Sequence, residues 1–339
     1  MTDQHGNSDN GTRRTLGRSG IEVSALGFGC WAIGGEWHDT SGAPLGWGAV
    51  DDAESVRAIH RALDLGVTFF DTADVYGAGH SERVLGRALA DGRRDRVVLA
   101  TKWGSVFDEA TRTMADEPGL TPAYARSALT ASLKRLGTDH IDLYQFHVNG
   151  GPLDAAAELR EACETFVAEG LIRAYGWSTD DPDRARFFAE GPHCASVQVG
   201  CNVLDDAPEM LALADELDIA AIVRGPLAMG ALTGKYSGGG SVTSASDLRA
   251  KPPAWLAFFE DGRVTAEWQQ RFDAVREVLT SGGRTPAQGA LAWLWARSPR
   301  TVPIPGARTP EQIEENAGAM AFGPLTDGQM AEIEKLLGR

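Results

Sequence analysis

Asp71, Tyr76, Lys102 and His147 each fall at, or just beyond, the end of a short apolar run. The stretches read "VTFFDTADVYG", "VVLATK" and "IDLYQFH". A carboxylate, a phenol, an ammonium and an imidazole at one rim can do acid–base work on a polarised bond. A free phenol titrates at about pH 10 and donates poorly at neutral pH. A neighbouring ammonium favours phenolate and draws that value down. Lys102 can supply the ammonium, and Asp71 can hold it charged and oriented. His147 can donate a hydrogen bond to an oxygen that gains negative charge. The set fits proton delivery to a carbonyl that receives a hydride. Any one of the four alone is explained equally well as a strand-end group satisfying backbone amides. Their meeting at one rim is what gives the chemistry.

That meeting needs a fold that gathers strand ends. Eight short apolar runs recur, around Leu26, Phe69, Val98, Leu143, Tyr175, Val197, Ile222 and Val302. Each has the length of a strand buried on both faces. Amphipathic stretches alternate with them. One has Thr121, Pro122 and Gly137 placed as N-cap, first residue and terminator; another opens on Ser81 as a candidate cap. The pattern predicts an α/β protein, a (β/α)8 TIM barrel, with a doubly wound open sheet as the rival. An N-terminal β-hairpin is expected around Ser19-Gly20, and extra helices and loops in the C-terminal half. Residues 1–14 read as a flexible tail and 15–339 as a single domain. The Gly/Ser/Pro-rich stretch from Ser237 to Trp255 reads as a lid or a disordered loop. In a barrel the site lies at the C-terminal strand ends. Ser178, Gln198, Asn202 and Arg224 join the rim on that basis.

Composition narrows the partners. The 339 residues carry a formal charge of −15, which disfavours nucleic acid and anionic membrane surfaces. The four cysteines are scattered without metal-like spacing, which points to a reduced, cytoplasmic setting and to no metal site. No apolar run has the length of a membrane span, and the polar N-terminus reads as no signal peptide.

The stretches "GVTFFDTADVYGAGHSERVLGRAL", "VVLATKWG", "IDLYQFH", "LAMGALTGKY" and "IPGARTPEQIEENAGA" resemble the aldo-keto reductase superfamily, in order and spacing, over nearly the whole chain. The resemblance implies a (β/α)8 barrel, an extended nicotinamide cofactor and the tetrad Asp71, Tyr76, Lys102 and His147. It puts Gly29, Cys30, Trp31 and Asp71 at the nicotinamide end. Ser178, Thr179 and Gln198 match the carboxamide ligands, with Thr179 standing where an Asn is usual. Asn202 matches an asparagine after the sixth strand. Arg224 stands where many members place an aromatic that stacks on the ring. Gly225, Pro226, Leu227, Gly230, Leu232 and Lys235 fit the pyrophosphate loop. Ile304, Gly306, Arg308, Gln312, Glu315 and Asn316 take the adenosine clasp. Arg308 is the candidate for a 2′-phosphate, which favours NADPH/NADP+ over NADH. Trp31, Trp37, Trp103, Phe107, Val148 and Asn149 are the expected substrate pocket, with Trp255 from the insertion. The function implied is NADP(H)-dependent reduction of an aldehyde or ketone, a small-molecule carbonyl. A potassium-channel β-like regulatory subunit, or a biosynthetic reductase of keto or enoyl deoxysugars, is the alternative. The oligomeric state does not follow from the sequence.

Overall fold

The strands form where Val, Ile, Ala and Phe concentrate over three to seven residues. The computed structural model describes residues 12–339. Its main sheet has eight strands: β1 (Gly27–Gly29), β2 (Phe69–Asp71), β3 (Val98–Trp103), β4 (Ile141–Phe146), β5 (Ile172–Ser178), β6 (Cys194–Gly200), β7 (Ala220–Arg224) and β8 (Thr301–Pro303). Each pairs in parallel with the next in sequence. The ring nearly closes where Gly29 forms a parallel bridge with Gly306 and its N–H donates to Pro305 O at 3.1 Å. Helices between the strands cover the outside. This is the expected (β/α)8 barrel; the open-sheet rival is excluded by the joined edges.

Strand alternation divides the core in two. Phe69, Val98, Ala100, Leu143, Ala174, Ala220 and Ile222 form a cluster inside the barrel. Phe70, Leu99, Trp103, Tyr144 and Trp177 pack outward against the helices. The inward parity continues to each strand's C-terminal end. It therefore carries Asp71, Lys102, Gln145 and Ser178 into the barrel mouth; in β6 a register shift between Cys194 and Ser196 sets Gln198 inward as well. The same parity turns Trp103 outward: it is wholly buried, 5.0 Å from Phe146. Its expected place in a substrate pocket is corrected accordingly.

The hairpin is present: Arg13–Thr15 pairs antiparallel with Glu22–Ser24. Its Leu16, Ile21 and Val23 join the inner cluster and close the barrel's lower end. Arg13 and Arg14 thus belong to this hairpin and not to the expected tail; residues 1–11 of that tail lie outside the described residues. Thr121 caps the helix Pro122–Leu136 by accepting from Tyr124 N–H, and Gly137 ends it at φ 66°. Ser81 is not a cap. It sits inside the helix His80–Ala88, buried, donating to Cys30 O at 2.8 Å and sharing a hydrogen bond with Thr72 Oγ1 at 2.9 Å. The insertion is stitched down rather than loose. Leu248 N–H donates to Gly46 O and Val242 N–H to Gly262 O, both at 2.8 Å. A second hairpin, Ser105–Asp108 with Thr113–Pro118, stands above the barrel mouth and was not expected.

Thr121→Ala removes the cap without touching the core. It is expected to lower unfolding stability in urea by about 1 kcal/mol. A loss near zero would show that the cap contributes nothing.

Candidate active site

Lys102 organises the rim. It is fully buried, and its Nζ donates to Asp71 Oδ1 at 2.5 Å, Thr72 O at 2.9 Å and Tyr76 Oη at 3.1 Å. Three partners saturate the three N–H bonds of an ammonium. Asp71 is held from the other side. Its Oδ2 accepts from Gln145 Nε2 and Gln198 Nε2, both at 2.9 Å, and Gln198 also donates to Gln145 Oε1 at 3.1 Å. Tyr76 lies between Trp31, stacked at 5.8 Å, and His147, edge-on at 5.8 Å. Trp31 is steadied by donating its Nε1 to Leu45 O at 3.1 Å. Phe107 packs beside Tyr76 with Trp37 and Val75.

The charges follow from burial and neighbours. Burial pulls Lys102 down, but Asp71 and Tyr76 outweigh it, so the ammonium stays above its ordinary value. Burial pushes Tyr76 up, and the pull of Lys102 does not cancel it. From the sequence that pull was expected to prevail; in the folded protein Tyr76 is a neutral phenol, ready to donate. Burial, with Lys102 and Arg224 adding to it, pushes His147 well below its ordinary value. The imidazole is neutral and carries one N–H.

A cavity of about 810 Å³ opens over this rim. Trp31, Trp37, Tyr76, His147, Asn149, Ser178, Arg224 and Trp255 are among its lining residues. Arg224 is fixed by an ion pair with Asp180. Asp180 in turn accepts from Asn149 Nδ2 at 3.0 Å and from Gly200 N–H at 2.8 Å. A second cavity of about 270 Å³ shares Gly225 and Met229 with the first, so the two form one groove. It is lined by Pro226, Leu227, Gly230, Lys235, Gly306, Arg308, Gln312, Glu315 and Asn316, with Trp47 and Arg249. Between the cavities the backbone coils tightly: Gly225, Ala228, Met229 and Gly230 all have positive φ. Partial burial and the charges of Arg249 and Arg308 hold Lys235 below its ordinary value.

Several expected positions point elsewhere. Cys30, Leu232 and Ile304 are buried in the core clusters. Thr179 faces outward, donating to Asn149 O at 2.9 Å. Gln198 serves Asp71, as described. Asn202 turns its Oδ1 to the N–H groups of Leu204 and Asp205, at 3.0 and 3.1 Å. Gly29 lies at the barrel seam, where a Cβ would come within 2.5 Å of Ile304 O. Val148 packs on the core rather than in the cavity. Conversely, Gln145, Asp180, Trp47 and Arg249 were missed. Gln145 was legible, two residues before His147 and on the same strand parity as Leu143. Arg249 was not: it pairs with its near neighbour Asp247 at 2.6 Å, but it reaches the groove by lying over Trp47 at 4.5 Å, a contact between loops far apart in sequence.

Residues 25–337 match the model of the Aldo/keto reductase family. The chain belongs to that family of oxidoreductases. It is similar to the uncharacterised oxidoreductase YqkF of Bacillus subtilis (strain 168), with 31% identity over 95% of each chain. Among solved structures, the glycerol dehydrogenase of Gluconobacter oxydans superposes with a TM-score of 0.80 at 29% identity, over 97% of this chain and 96% of that one. An aldo/keto reductase of Klebsiella pneumoniae, in complex with NADP and acetate, gives 0.67 at 27% identity over 96% and 95%.

All five tyrosines of this family member, Tyr76 included, are pushed above the usual phenol value, burial being the first cause in each. A phenol that the fold keeps neutral adds stability below about pH 10 and loses it as pH rises through the folded value. Absorbance titration should show no tyrosinate below about pH 10. A full phenol ionising earlier, and absent from Tyr76→Phe, would contradict a neutral Tyr76.

Proposed function

We propose that this family member reduces an aldehyde or ketone with NADPH, Tyr76 giving the proton. The observation that carries the reading is the bond from the Lys102 ammonium to the neutral Tyr76 phenol, at the floor of an open cavity. The residues present fit the cofactor. The groove leads from Tyr76 past the open backbone of Gly225 to a basic end with Lys235, Arg249 and Arg308. Burial first, then the charges of Arg249 and Arg308, hold Lys235 down, so a bound phosphate would relieve the repulsion among the three cations. The helix Pro310–Gly318, capped by Thr309, adds its N-terminus to that end. NADPH supplies the hydride when bound.

The chain's own groups do the rest. Tyr76 Oη donates its proton to the carbonyl oxygen as charge gathers there. Lys102 stabilises the phenolate that results, and the fixed carboxylate of Asp71 keeps Lys102 in place. Neutral His147 donates a hydrogen bond to the same oxygen. Arg224, tethered by Asp180, offers a planar face where an aromatic ring is common in the superfamily. Arg308 takes the 2′-phosphate.

Two results test this reading. Tyr76→Phe should cut kcat at least ~10²-fold on a panel of aldehydes while NADPH affinity stays within a few fold; undiminished turnover would refute the assignment. Arg308→Ala should weaken NADPH binding roughly tenfold or more and leave NADH binding nearly unchanged. Equal losses for both cofactors would remove the 2′-phosphate from Arg308.

A further inference from the structure

The cavity above Tyr76 has walls of two kinds. One is aromatic. Trp31, Trp37 and Trp255 line it, and the ring centroids of Trp31 and Trp255 are 6.3 Å apart. Trp255 is 57% exposed, so an indole at the cavity mouth keeps most of its surface uncovered. The other wall is acidic. Asp180, Asp205, Asp206 and Glu209 all line the cavity. Asp180 is neutralised by Arg224, and Asp206 by Arg297 at 2.7 Å. Among the described residues Asp205 and Glu209 have no ion-pair partner. Burial and the neighbouring Asp180 and Asp206 push the Asp205 carboxyl up; Arg271 and Arg224 act on it through space against that, and Arg271 donates its Nη2 to Leu204 O at 2.6 Å.

We propose that this cavity selects carbonyl compounds bearing a positive charge, as an amine or quaternary ammonium, at the end remote from the carbonyl. The proposal rests on the carbonyl-reduction reading and names its substrate class. A cation between indole faces and carboxylates gains from the ring quadrupoles and from Coulomb attraction. A carboxylate-bearing carbonyl compound meets repulsion at the same wall. Arg224 does not reverse this, because Asp180 already matches its charge. The two unpaired carboxylates sit at the mouth, where salt screens them. The selection is therefore strongest at low ionic strength and acts mainly on KM.

The test compares three para-substituted benzaldehydes with the full-length protein and NADPH. The substituents are trimethylammonio, cyano and carboxylate; cyano is neutral and also withdraws electrons. At low salt, kcat/KM for the cation should exceed that for the carboxylate roughly tenfold or more, and that for the nitrile about threefold. Both contrasts should shrink in about 0.5 M NaCl. In the Asp205→Asn/Glu209→Gln double variant the cation-to-nitrile ratio should fall towards one. Equal kcat/KM for all three compounds, or an unchanged ratio in the double variant, overturns the proposal. If no aldehyde is reduced, the carbonyl-reduction reading fails separately. Charge selection is then decided by tryptophan quenching with benzyltrimethylammonium. Saturable quenching that weakens in the double variant supports it, and no saturable quenching overturns it.

Discussion

An ammonium buried inside a barrel is the constraint around which the rest is arranged. Lys102 has no exposed surface; burial pulls its ammonium down, and Asp71, 2.5 Å away, is the first of the partners, with Tyr76, that keep it charged. Taking either Lys102 or Asp71 away leaves an uncompensated buried charge, a cost of roughly 3–5 kcal/mol. The barrel meets this by spending its inward positions on polar support. Gln145 and Gln198 hold the second oxygen of Asp71, and Thr72 O takes another Lys102 proton. The remaining ammonium proton points at Tyr76. The fold therefore leaves one saturated charge directed at one phenol.

Strand parity decides which residues take part. Asp71 and Lys102 reach the interior because each continues the inward register of its strand, and Gln198 reaches it after a register shift between Cys194 and Ser196. Trp103 is one residue out of phase and packs towards the helices, and Thr179, just past its strand's end, turns to the carbonyl of Asn149. The sequence made the eight strands, the hairpin and the four rim residues legible, because apolar runs and strand ends are local features. It also made Trp103 look like a pocket residue, which the two-residue period of its strand rules out. The support that Gln198 gives Asp71 was hidden for a different reason: the two are 127 residues apart. The same holds for Arg249 and Trp47, which meet only once the insertion is stitched to the loop at Gly46. Electrostatic balance was equally hidden. The pull of Lys102 on Tyr76 was correct in sign, but the burial that outweighs it has no local signal.

The groove extends this floor in two directions. Towards Arg308 its character is basic, and towards Asp205 and Glu209 acidic and aromatic. Arg224 stands at the junction, bound to Asp180. A chain with net charge −15 thus concentrates cations at one end of a groove and leaves carboxylates at the other. That polarity separates a phosphate-rich ligand from the compartment over Tyr76.

The central claim is that Asp71 acts through Lys102 to hold Tyr76 ready as a proton donor. The direct measurement is the single-turnover rate of NADPH oxidation in Asp71→Asn, followed at the cofactor absorbance, beside the NADPH dissociation constant and a thermal melt. The account predicts a rate at least ~10²-fold lower in folded protein that still binds NADPH within a few fold of the parent. A folded Asp71→Asn variant turning over at the parent rate would contradict it.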